Sequence, residues 1–100
     1  MQIQYNYANI DSSAPLEQHV ASALDSNVGR FSDRLTRVEV HFADLNSAKK
    51  HGPADKRCML EARPTGRDPI AIECFADSFY AAATEAAGKL GRALANRLER

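Results

Sequence analysis

One hundred residues, 44% hydrophobic and 26% charged, with five glycines, four prolines and two cysteines, describe one globular domain over 1–100 and exclude collagen-like, disordered and disulfide-scaffold chains. The formal net charge of zero excludes a protein coated in positive charge but leaves room for a local basic surface. No apolar run approaches the ~20 residues of a membrane span, and Met1–Tyr5 lacks the basic region and long apolar stretch of a signal peptide, so a cytoplasmic chain without membrane contact is expected.

Residues 2–7 alternate, with Ile3, Tyr5 and Tyr7 on one side and Gln2, Gln4 and Asn6 on the other, which predicts a half-buried strand. Ser13 or Ala14 then supplies an N-cap, and Pro15 suits a first helical turn because its missing N–H is not needed there. Leu16, Val20, Leu24, Val28 and Phe31 recur every three or four residues and predict a helix over about 14–30. Residues 37–43 alternate again, with Val38, Val40 and Phe42 opposite Glu39 and His41. A polar loop follows over 44–55. Strands over 56–63 and 69–75 flank a turn at Pro64–Asp68. The hairpin register that sets Cys58 against Cys74, Leu60 against Ile72 and Ala62 against Ile70 puts every apolar partner on one side. The alanine-rich segment from Asp77 to about Leu98 is helical, capped by Asp77 or Ser78, with Tyr80, Ala83, Ala87, Leu90, Leu94 and Leu98 as its buried stripe.

The order β-α-β-β-β-α predicts an α+β two-layer sandwich, with two helices on one face of a four-stranded mixed sheet. The other face, carrying Glu39, His41, Arg57, Met59, Glu61, Arg63 and Glu73, is expected to meet solvent.

Enzyme chemistry finds no foothold in these residues. His19, His41 and His51 fall on a helix, the open sheet face and a loop, without metal-ligand spacing. Cys58 and Cys74 occupy core positions, as small hydrophobes do. There is neither a phosphate-cradling glycine loop nor a nucleophile elbow, so no catalysis, metal, cofactor or small-molecule substrate is expected.

Charge, however, is uneven. Residues 1–29 hold three acids and no lysine or arginine, whereas 30–67 hold nine bases against five acids. Lys89, Arg92, Arg97 and Arg100 oppose Glu99 alone over the last twelve residues. At ~100° per residue Lys89, Arg92, Asn96 and Arg100 fall within a roughly 80° arc. This pattern suits phosphate contact with structured RNA, while the lack of an aromatic pair on the open sheet face argues against base stacking.

Two stretches carry a family resemblance. Arg30 to Phe42, RFSDRLTRVEVHF, and Phe79-Tyr-Ala-Ala82 followed by Lys89-Leu-Gly-Arg92 resemble the short ribosome hibernation-promoting factors and ribosome-associated inhibitors, the protein Y or sigma-54 modulation family. The resemblance implies a non-catalytic regulator that occupies the small ribosomal subunit near the decoding region, contacts its 16S-type rRNA and silences idle ribosomes. Carried over by position it implies Lys89 and Arg92 as RNA contacts, with Arg30 and Arg34 at the end of the first helix; the loop bases Lys49, Lys50 and Lys56 join them as candidates from their charge. The chain departs from the family in having no lysine along His19–Val28 of the first helix, and in Ser78 and Thr84 where aspartates are usual. Those departures keep a second reading in play: a stress or interaction protein of the same fold that binds a protein partner or other structured RNA.

Overall fold

The computed structural model describes residues 1–45 and 54–99. The first strand, β1 (Gln2–Tyr7), lies at one edge of the sheet and runs parallel to β2 (Leu35–Asp44). The strands β3 (Lys56–Pro64) and β4 (Ile70–Ala76) follow as an antiparallel meander, giving the spatial order β1-β2-β3-β4. The helices α1 (Ala14–Val28) and α2 (Phe79–Leu98) cover one face. This is the two-layer α+β sandwich that the element order predicts.

Local chemistry places each helix start. The Ser13 hydroxyl accepts the Leu16 amide at 3.2 Å, and the Ser78 hydroxyl accepts the Ala81 amide at 3.1 Å. Each thereby satisfies one of the N–H groups that a helix start leaves without an internal partner. The hairpin register is the predicted one: Cys58 opposes Cys74, Leu60 opposes Ile72 and Ala62 opposes Ile70. The turn between them needs Gly66, whose φ of +73° lies in the left-handed region where side chains are strained. Two tyrosines tie β1 to α1: the Tyr7 hydroxyl donates to the Glu17 carboxylate at 2.8 Å, and the Tyr5 hydroxyl to the Glu17 carbonyl at 3.0 Å.

Two sequence expectations need correction. The first helix ends at Val28, not 30, because Val28 leaves helical geometry (φ −126°, ψ −1°) and the chain tightens into a 3-10 segment over Gly29–Arg34. That segment turns Phe31 into the core, and β2 consequently starts at Leu35. Tyr80 does not belong to the buried stripe of α2, being 44% exposed. It sits on the rim facing α1, with the His19 ring edge-on at 5.1 Å. Phe79 takes the inward place, its ring edge-on to Phe42 at 5.5 Å, and Ala82 and Ala86 complete the stripe.

The sheet's open face is only half exposed, because its charges fold onto one another. Glu39 accepts from Arg37 at 2.9 Å and Arg63 at 3.1 Å, with the His41 ring at 3.6 Å. The Arg37 hydrogen bond, with Arg63 beside it, holds the Glu39 carboxyl below the usual carboxylate range. Arg63 also reaches Glu61 at 2.6 Å, and Arg57 pairs with Glu73.

On the other face the core is wholly apolar among the described residues. Both cysteines are free thiols buried in it. Burial pushes the Cys58 thiol up to about 12. Since the native thiol holds its proton to higher pH than the unfolded one, the stability it contributes is complete below about pH 8.5 and is lost as pH rises towards 12. Urea unfolding followed between pH 8 and 11 should show this fall, with part of it absent in Cys58→Ala. Alkylation of the native protein at pH 8 should be slow at Cys58, because the thiolate is the reacting species.

Candidate nucleic-acid interface

Three parts of the chain converge at one end of the molecule: the 3-10 segment after α1, the β3–β4 turn and the C-terminus of α2. The Thr65 amide donates to the Arg34 carbonyl at 3.0 Å, fixing the turn to the 3-10 segment. The Arg34 guanidinium donates to the Leu98 carbonyl at 3.1 Å, and that of Arg67 to the Arg97 carbonyl at 3.4 Å. These carbonyls belong to the last turn of α2, where helical partners run out and the helix dipole is negative, so guanidinium groups are favoured there. Arg30 pairs with Glu99 at 2.9 Å. Its guanidinium carbon lies 4.6 Å from the centre of the Phe31 ring, a cation–π contact that orients the charged plane. Five arginines, Arg30, Arg34, Arg67, Arg92 and Arg97, are thus gathered at this end, and all are exposed. Among the described residues only Arg30 of the five has an acidic partner, and Arg34 and Arg67 meet only backbone carbonyls.

Arg30 and Arg92 share a groove of about 280 Å³ between the two helices, lined also by Ser26, Asn27, Gly88, Gly91 and Ala95. The two glycines that look costly in the middle of a helix have different reasons. A Cβ on Gly91 would lie 2.6 Å from the Asn27 carbonyl oxygen, so the helix backbones touch there. A Cβ on Gly88 would meet only the tip of Arg92, at 3.6 Å, which is ordinary contact.

The sequence-predicted candidates therefore divide. Arg30 and Arg92 meet in one groove, and Arg34 stands at the same end. Lys89 is exposed but is not part of that groove: it pairs with Glu85 at 3.3 Å and its amine approaches Cys74 of β4. An 80° arc on a helix is wide enough to straddle the crest, and Lys89 falls on the flank away from α1. Lys56 is engaged by two carboxylates, Asp55 at 2.8 Å and Asp44 at 3.2 Å. Lys49 and Lys50 lie outside the described residues. Their loop leaves and re-enters the sheet at Leu45 and Asp55, whose backbones pair at 2.9 Å. Ten residues of β2 separate that end from the arginines, about 30 Å at ~3.3 Å per residue.

Arg67 and Arg97 escaped the sequence reading. Arg67 reads as a turn residue, and Arg97 falls outside the helical arc. Chain direction carries the missing signal: the β3–β4 turn and the end of α2 must both lie where β2 begins.

A family model described as sigma 54 modulation protein / S30EA ribosomal protein matches residues 3–100. The chain belongs to that family. A ribosomal subunit interface protein from Coxiella burnetii has the same fold at a TM-score of 0.82, with 17% identity over 100% of both chains. The protein Y N-terminal domain from Thermus thermophilus superposes at a TM-score of 0.76, with 18% identity over 97% of this chain and 99% of that one. No curated protein sequence matches the chain. No described helix is long and apolar enough to cross a membrane.

The two glycines yield a contrast to measure. Gly88→Ala should raise unfolding free energy by about 0.5–1 kcal/mol, the ordinary gain of alanine over glycine in a helix. Gly91→Ala should lower it by about 1–3 kcal/mol, because the Asn27 backbone must move aside. Urea unfolding of the two variants beside the parent reads both signs.

Proposed function

We propose that this chain is a non-catalytic, cytoplasmic translational regulator that binds the small ribosomal subunit near the decoding region and silences idle ribosomes. Family membership and the resemblance of Arg30–Phe42 and Phe79–Arg92 to the hibernation factors support the class. The observation that carries the reading is the convergence of five arginines on one end of a chain of zero net charge, four of them without an acidic partner among the described residues. Guanidinium groups fork onto phosphate oxygens with fixed geometry, so such an end binds folded RNA by backbone and shape rather than by base. The 16S-type rRNA is the partner this favours.

In this arrangement Arg30, Arg92 and Arg97 form the contact, Arg34 and Arg67 supply positive potential from behind it, and Lys89 reaches RNA only across the flank of α2. Lys49 and Lys50 stand as candidates for a separate contact, on a loop rooted at the opposite end of β2.

Co-sedimentation with ribosomes at several salt concentrations tests this. Three to five phosphate contacts should give a log–log salt slope of about −2 to −4. Replacing Arg30 and Arg92 together by Gln should weaken binding and reduce the slope by up to about 2. Failure to sediment with ribosomes at low salt, where phosphate contacts are strongest, would overturn the proposal and favour a protein partner instead.

A further inference from the structure

The groove between α1 and α2 does more than add charge to a surface. We infer that it is a discrete seat for one phosphate group, held between the Arg30 and Arg92 guanidinium groups with the Ser26 hydroxyl and the Gly88 floor beneath. This deepens the ribosome reading and rests on it for the physiological setting, but the seat is a property of the isolated protein.

Three observations lead there. First, the groove has a recognisable construction. The backbone contact at Gly91 and Asn27 fixes the helices close together, which brings a cation from each side to the rim of one hollow. Second, the donors are pre-set. Arg30 lies against the Phe31 ring, and its Nη1 already holds a carboxylate, that of Glu99, showing that an oxyanion is accommodated on this guanidinium. Arg92 has no acidic partner among the described residues. Third, Gly88 is unexplained by packing. A glycine inside a helix costs stability, yet a side chain there would meet nothing but the Arg92 tip. Its lack of a side chain leaves the hollow open.

The lining is polar and small, which suits a compact tetrahedral anion rather than an apolar ligand. Guanidinium N–H pairs match phosphate oxygens, and Arg30, Arg92 and Ser26 all line this hollow. Asn27 adds little: its side-chain amide already donates to the Ala23 carbonyl at 2.8 Å. The phosphate can come from the RNA backbone, as a diester, or from a free nucleotide, as a terminal monoester.

Nitrogen–proton correlation NMR of the intact protein, titrated in turn with inorganic phosphate, adenosine monophosphate and the dinucleotide ApA, tests the seat. Saturable shifts are expected at the amides of Ser26, Asn27 and Gly88 and at the side chains of Arg30 and Arg92, with none from chloride at equal ionic strength. Gly88→Leu, which fills the hollow, and Arg92→Gln, which removes one fork, should each weaken phosphate binding by about tenfold. ApA binding as well as adenosine monophosphate assigns the seat to the RNA backbone; a clear preference for adenosine monophosphate assigns it to a free nucleotide. Equal shifts with chloride, or undiminished phosphate binding by Arg92→Gln, would overturn the inference, and Arg92→Gln decides it should Gly88→Leu fail to fold. Ribosome co-sedimentation of the parent protein is read separately: sedimentation without phosphate shifts sinks the seat alone, and phosphate shifts without sedimentation sink the ribosome reading alone.

Discussion

Two helices must share one face of a four-stranded sheet, and that crowding governs the rest of the molecule. Four strands at ~4.8 Å spacing offer about 14 Å between the outer strand axes. Helices packed side by side at 8–10 Å take up most of that width. The helices can therefore lie on the sheet only if their mutual contact is close and their undersides are slim. Gly91 against the Asn27 carbonyl supplies the first condition. Ala82, Ala83, Ala86 and Ala87, all buried, supply the second, bringing α2 down onto β3 and β4 while the larger Leu90 and Leu94 fill the centre. The alanine-rich composition of this helix is thus a packing requirement before it is a propensity.

The same crowding shapes the electrostatics. With one sheet face sealed by helices, the other must carry many charges, and there they cancel: Arg37 and Arg63 on Glu39, Arg63 on Glu61, Arg57 on Glu73. Exposed pairs of this kind add little stability, but they remove charge from the long-range field. What is left uncancelled sits where the chain's turns and helix ends meet. A protein with no net charge can therefore present one polarised end, which orients it towards a polyanion as it approaches.

Much of the fold was readable before any coordinates. Alternation at Ile3-Tyr5-Tyr7 and Val38-Val40-Phe42 marked the strands, a serine was one of the two cap candidates at each helix start, and the apolar pairing of Cys58 with Cys74 set the hairpin register. These signals survive because each depends on burial along a single element. The end of α1 and the position of Tyr80 were misread because periodicity gives a direction around a helix and not the neighbour waiting there. The candidate site was legible only in part for the same reason. Arg30, Arg34 and Arg92 follow from the sequence, but Arg67 and Arg97 join them only through the route of the chain, and Lys89 leaves them because α2 turns it towards β4.

The guanidinium groups of Arg34 and Arg67 rest on the last carbonyls of α2, and this divides the arginines into two kinds. To swing either onto a ligand would strip a helix terminus of its partners, so both stay where they are and act at a distance, as anchored charge. Arg92 and Arg97 answer to no such obligation and can close on a phosphate directly. Anchored charge works through a potential that physiological salt screens over about 8 Å, whereas closing charge works by displacing counterions at contact. One end of this small protein therefore carries both a far-sighted and a near-sighted means of meeting a polyanion, and the helix terminus decides which arginine serves which.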